Sequence, residues 1–263
     1  MMQLRVGFEM VYQCVQPTPM MLMLSIHPSR VADLVRPDLL VTDPAVPVTS
    51  YLDLFGNRCS RLVAPQGRLV LSSNAVVNDS GLPDSVAPGA VQSAVEDLPA
   101  STLIYLLGSR FCETELLSNI AWQRFASVPA GWARVQAICD FVHQHIEFGY
   151  PHARSTRTAM EAYTEGRGVC RDYAHLMCSL ARASNIPARY TSVYGAEVDP
   201  PDFHAVAQVW LDGGWHLVDA TGMGTPARLA VIASGRDAVD VAFMENVSGA
   251  QPINQVIQVS DCD

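Results

Sequence analysis

The 263-residue chain carries 26 acidic and 17 basic residues, a net charge of −9, with 49% apolar and only 16% charged residues. That length suits one large domain or two small ones with enough apolar material for a core, and the acidic balance argues against a protein that tracks phosphates with a basic stripe. Every basic residue is Arg; the absence of Lys excludes a Walker-type phosphate loop and Schiff-base chemistry. The start, Met1 to Arg5, shows no basic-then-apolar leader pattern, and the apolar run Met20 to Leu24 is far short of the ~20 residues that span a bilayer. Seven Cys are scattered without a CxxC pair. Reduced thiols in a cytoplasmic protein, bound to neither nucleic acid nor membrane, are the expectation.

In chain order, the first 78 residues read as β. Val6 to Val15 and Met20 to Ile26 are short apolar runs, Tyr51 to Asn57 is a strand running into a Gly-Asn turn, and Arg58 to Ala64 and Arg68 to Val77 form a further pair. Residues 79–100 are rich in Pro, Gly, Ser and Asp and read as a linker, with a short helix around Ala90 to Asp97. From about 101 the pattern is helical. Trp132, Val135, Cys139, Val142 and Ile146 step by 3 and 4 along one helix face. A second helix holds Ala174, Met177 and Ala181 and is closed by Asn185 and Pro187. Strands follow at Ala188 to Tyr194, His204 to Leu211 and Trp215 to Ala220. Gln251 to Asp263 alternates as a possible last strand.

Chemistry concentrates in Gly166 to Leu176. A Gly-rich turn runs straight into the second helix, with Cys170 at the junction. There the positive end of the helix dipole and unpaired N–H groups favour the thiolate, the reactive form, and the same N–H groups suit an oxyanion. Taken alone, Cys170 equally fits a small buried hydrophobe at a helix start. The strands add weight. Asp212-Gly213 is a favoured two-residue hairpin turn; it pairs Leu211 with Gly214 and Trp210 with Trp215, and puts His204 and Asp219 on one face as diagonal neighbours. A Gly213-Gly214 loop would move Asp219 further from His204; the Trp–Trp pair favours the first register. In that arrangement His204 draws the proton from Cys170 and Asp219 orients the imidazole.

Gly168 to Ala174, Ile186 to Tyr190, His204-Ala205 and Trp215 to Thr221 resemble the transglutaminase-like superfamily, in particular its bacterial transglutaminase-like cysteine protease branch. Asp53-Leu54-Phe55-Gly56-Asn57, Tyr105 to Cys112 and Gly235 to Phe243 are similar to further signatures of that branch, so the resemblance spans nearly the whole chain. It implies an α+β protein: a β-rich N-terminal domain (1–78), a linker (79–100) and a papain-like, transglutaminase-like catalytic domain (101–263). It also implies a Cys170–His204–Asp219 triad acting on a peptide or small amide through an acyl-enzyme. A hydrolase, peptidase or amidase, is the first reading; an acyltransferase to an amine and a non-catalytic binding scaffold of the same fold are the alternatives, and the oligomeric state is left open.

Among the other candidates, Tyr150 and His152 lie in the segment where relatives supply a polar or aromatic group to the oxyanion hole. Arg171, with Arg154, Arg157 and Arg167, forms either a solvated rim or a site for an acidic substrate. Asp172 is read as a cap or ion-pair partner, Cys178 as core, and His175 as solvated or on the rim. His143 and His145, about 200° apart on a helix, cannot share a metal ion, and no cofactor or metal is expected.

Overall fold

Alternation decides the first strands of the structure, a computed structural model that describes residues 2–79, 88–224, 229–246 and 249–262. In β1 (Met2–Cys14), Leu4, Val6, Phe8, Met10 and Tyr12 are buried, the period-2 set that one sheet face requires. β2 (Thr18–Leu22) repeats this with Thr18, Met20 and Leu22 inward. Three short strands follow, β3 (Leu34–Arg36), β4 (Val41–Asp43) and β5 (Thr49–Leu52), then the longer β6 (Arg58–Ala64) and β7 (Gly67–Asp79).

The helical part opens with α1 (Ala100–Leu103), α2 (Thr114–Phe125) and α3 (Trp132–His145), then β8 (Glu147–Phe148), α4 (Ala159–Glu165), β9 (Arg167–Gly168) and α5 (Cys170–Ala183). The remaining strands are β10 (Ala188–Gly195), β11 (Phe203–Leu211), β12 (Gly214–Val218), β13 (Leu229–Gly235), β14 (Met244–Asn246) and β15 (Ala250–Cys262). Gln251 onward thus does form a last strand. The helix expected around Ala90 to Asp97 is instead extended chain ending in a single 3-10 turn at Val95–Asp97. Its backbone bonds other elements: Ala90 O accepts from Trp132 N at 3.0 Å and Val91 O from Asp212 N at 3.0 Å. Part of the expected linker, 80–87, lies outside the described residues.

Strand pairing crosses the expected boundary between 1–78 and 101–263. β15 lies antiparallel to β1 and completes the sheet β15-β1-β7-β3, with β4 also on β7; β14 pairs with β2 in the sheet β14-β2-β6-β5. The larger apolar core runs from Leu4 and Phe8 through Leu176 and Leu180 to Ile257, beside a small cluster of Val193, Val206 and Leu229. The Asp53–Asn57 turn is one seam. Asp53 Oδ1 accepts from the N–H groups of Phe55 and Asn57 at 2.8 Å each, which aims the buried Asn57 amide at β13; there it donates to Ser234 O at 2.9 Å and accepts from Ser234 N at 2.8 Å.

The site rests on α5 and the sheet β12-β11-β10-β13. α5 is buried on all sides from Asp172 to Ala183. Its C-terminal end turns at Asn185, whose φ of 59° is the left-handed conformation Asn tolerates, before Pro187. The β11–β12 hairpin has the register read from the sequence, Leu211 opposite Gly214 and Trp210 opposite Trp215. Asp212 and Gly213 both have positive φ, 50° and 78°, as a tight two-residue hairpin turn demands. Among the described residues no helix is long and apolar enough to cross a membrane.

Candidate active site

Cys170 is the first residue of α5 and is partly exposed. Its position is set from below by Asp172, the third residue of the helix, whose Oδ2 accepts from Val169 N at 2.9 Å and caps the helix start. Gly168 is required for that approach: a Cβ there would lie 2.6 Å from the Asp172 side chain. Asp172 and Arg157 are both buried, and Arg157 Nη1 meets Asp172 Oδ2 at 3.0 Å while its other nitrogens bind Glu165 Oε2. Burial raises the Asp172 pKa against the bonds from Val169 and Arg157.

His204 enters from β11 and is 2% exposed. Asp219 follows β12. Their side chains meet: His204 Nε2 donates to Asp219 Oδ2 at 2.9 Å. The Cys170 side chain acts on the same imidazole. Burial opposes charge on His204, but the Asp219 and Cys170 side chains outweigh it and push the imidazole up to about 10. Burial also works on Asp219, yet His204 and Thr221 hold its carboxyl below the usual carboxylate range. An imidazolium is therefore the favoured form of His204 at neutral pH, with a carboxylate on one side and the Cys170 sulfur on the other.

The carboxylate is saturated with donors. Oδ1 accepts from Thr221 N at 2.9 Å and Thr221 Oγ1 at 2.7 Å; Oδ2 accepts from Gly224 N at 3.2 Å as well as from His204. α3 holds the turn from beneath, His143 Nδ1 donating to Ala220 O at 3.1 Å. Thr221, Gly224 and His143 were not singled out from the sequence as supports. Their signal lay in the string Asp219-Ala220-Thr221 and in a His at the right helix offset, neither of which reveals a partner without the fold.

The remaining expectations divide. Tyr150 is 46% exposed, and burial together with the charges of Asp202, Cys170 and Asp199 pushes its hydroxyl up. His152 sits in the same turn, packed on Gly149, with its carbonyl accepting from Arg157 at 2.7 Å. Arg171 points into the protein. Its guanidinium lies 4.2 Å from the Phe111 ring centroid, and Nη1 donates to the Arg154 and Arg157 carbonyls. Arg154, Arg157 and Arg167 likewise face Glu161, Glu165 and Asp172 rather than open solvent alone. His175, expected at the rim, is fully buried. It stacks on Phe111, and its Nε2 accepts from Ala238 N at 3.1 Å, because α5 has no solvent face at this turn. Cys178 is core, its thiol pushed up by burial. His143 and His145 bond different elements, the latter reaching Tyr163 O.

Residues 121–220 match the model of the transglutaminase-like superfamily. The chain carries a transglutaminase-like domain. That domain covers α3 to β12 and so contains Cys170, His204 and Asp219. The whole chain superposes on the crystal structure of a putative cysteine protease from Cytophaga hutchinsonii with a TM-score of 0.90, 28% identity and coverage of 100% of this chain and 91% of that one. The β-rich N-terminal region is therefore shared along with the transglutaminase-like domain. An uncharacterized protein of Mycobacterium leprae is 25% identical over 249 residues, 83% of this chain and 84% of its own.

Proposed function

We propose that the protein is a cysteine-nucleophile hydrolase that cleaves an amide bond, peptide or small amide, with Cys170 as nucleophile, His204 as acid and base, and Asp219 as orienting carboxylate. The observation that carries this reading is the imidazole of His204, bonded through Nε2 to the Asp219 carboxylate and held in its charged form by that carboxylate together with the Cys170 side chain at a helix N-terminus. The transglutaminase-like fold, shared with a putative cysteine protease, supports the same class of chemistry.

The Cys170 thiolate attacks the carbonyl carbon, and the carbonyl electron pair moves to oxygen. The oxyanion is stabilised by the Cys170 N–H at the helix start. His204 passes its proton to the leaving nitrogen as the C–N bond breaks, leaving a thioester on Cys170. Neutral His204 then takes a proton from water, whose oxygen attacks the thioester and releases Cys170 as thiolate and the imidazolium with it. Asp219 stays ionised throughout and holds the ring.

Acid-quenched intact-mass spectrometry on a panel of peptide and simple amides tests the reading. A covalent acyl adduct on Cys170 that turns over to the free acid supports it. Adducts absent from the wild type with every amide tried, or equal in Cys170→Ala, contradict it. Preferential incorporation of added methylamine over water would assign the acceptor as an amine and replace hydrolase by acyltransferase.

A further inference from the structure

We infer that Thr221 is a positioning residue whose hydroxyl fixes the Asp219 carboxylate and shares the His204 Nε2 proton, so that it sets how much of the Cys170–His204 pair exists as thiolate and imidazolium. The inference rests on the proposed roles of Cys170, His204 and Asp219.

The hydroxyl has one hydrogen and two lone pairs, and the structure gives each a place. Thr221 Oγ1 lies 2.7 Å from Asp219 Oδ1, which can only accept, so the hydrogen goes there. One lone pair accepts from Met223 N at 3.1 Å, which fixes the rotor. The other faces His204 Nε2 at 3.4 Å. His204 Nε2–H therefore has two acceptors, a carboxylate oxygen at 2.9 Å and a pre-oriented hydroxyl oxygen behind it. An aliphatic side chain in this place would leave Asp219 Oδ1 with only the Thr221 N–H bond of 2.9 Å, free the carboxylate to rotate, and remove the second acceptor. All three changes weaken the imidazolium and favour the neutral thiol–imidazole form.

Other ionisable groups that face this cluster do not duplicate the role. Asp202, before β11, acts on His204 through charge but spends Oδ1 on Phe203 N and Gln255 Nε2. Cys139 on α3 lies below Asp219, its Sγ directed at the backbone carbonyl rather than the carboxylate. Tyr150 packs edge-on against Phe148 and bonds none of His204, Asp219 and Thr221. The turn itself has anchors independent of the hydroxyl, His143 to Ala220 O and Gly224 N to Asp219, so substitution of Thr221 leaves it built.

The test is the pH dependence of carbamidomethylation at Cys170 by iodoacetamide, read by peptide mass mapping for wild type, Thr221→Val, Thr221→Ala and Thr221→Ser, with near-UV circular dichroism to verify folding. Wild type is expected to label on a plateau that already exists at neutral pH. Loss of one hydrogen bond to a charged pair shifts the equilibrium about 5- to 10-fold towards the neutral form, and is expected to lower that plateau in Thr221→Val by up to that factor and to add a second rise on the alkaline side as the remaining thiol ionises. Thr221→Ser is expected to restore the wild-type profile. If Val does not fold, Ala, which keeps the backbone bond to Asp219, gives the same readout. A folded Val or Ala variant with the wild-type profile overturns the role of Thr221 alone. A wild type with no neutral plateau overturns the assignment of Cys170 and His204, and the inference with it.

Discussion

The two halves of the candidate site are supported by opposite means. The Cys170 half stands on buried charge: Asp172 caps the helix start and is itself held by Arg157, which in turn binds Glu165. The His204–Asp219 half stands on neutral donors, the N–H and O–H of Thr221, the N–H of Gly224 and an imidazole N–H from His143. The physical difference is one of tolerance. A buried ion pair stripped of one member leaves an uncompensated charge and fails as a unit, whereas a neutral hydrogen bond can be lost with modest cost to folding and show its effect in the charge it was tuning. The helix that presents Cys170 is therefore locked, and the adjustable element is the turn that carries Asp219.

Substitutions that separate stability from reactivity sharpen this contrast. Arg157→Ala is expected to have the largest effect on folding, about 3–5 kcal/mol, because Asp172 is left buried and charged; urea unfolding measures it, and a loss under 1 kcal/mol would mean the network does not hold the helix start. Thr221→Val, which removes one of those neutral bonds, is expected to slow alkylation of Cys170 at pH 7 several-fold while the unfolding midpoint moves little. A large stability loss with unchanged alkylation would invert the comparison.

The pH dependence follows from His204. Its pKa in the folded protein, about 10, lies above the ordinary 6.5, so the stabilisation it brings is complete below about 6.5 and is lost as pH rises towards 10. Unfolding of wild type and His204→Gln at pH 6, 8 and 10 is expected to show a gap that narrows on the alkaline side; a constant gap would remove the imidazolium from the account. The smallest effect is expected at the outer end of the charged network. Arg154 contacts Glu161 and Glu165 at 2.9 Å each but is 40% exposed, and Arg154→Ala is expected to cost no more than about 0.5 kcal/mol.

Local patterns carried much of the fold into view. The β11–β12 register was legible because Asp212-Gly213 admits a tight turn and because a Trp–Trp pair rewards one alignment; the rings of Trp210 and Trp215 do meet, edge to face at 5.3 Å. The α5 start was legible because a Gly-rich turn precedes an amphipathic run. What stayed hidden depends on long-range packing. A helix buried all round cannot be told from a surface helix by the polar residues it carries, so His175 looked like a rim residue until Phe111, Tyr190 and the 236–240 loop closed over it. Arg171 looked like an exposed cation for the same reason. The return of β14 and β15 to the N-terminal sheets had no local signature, since an alternating strand does not name its partner. The meeting of His204 and Asp219 was thus readable from the hairpin register, while the groups around it, Thr221, Gly224 and His143, were not.

The central claim is that Cys170 and His204 act as one coupled pair. Intact-mass spectrometry with peptide mapping, after brief exposure to substoichiometric iodoacetamide at pH 7, tests it most directly on wild type beside His204→Ala. An unassisted thiol with a pKa near 8.5 is only about 3% ionised at pH 7. The coupled pair predicts fast labelling confined to Cys170 that falls about 30-fold in the variant. Slow labelling spread over several of the seven thiols, unchanged by the variant, would contradict it.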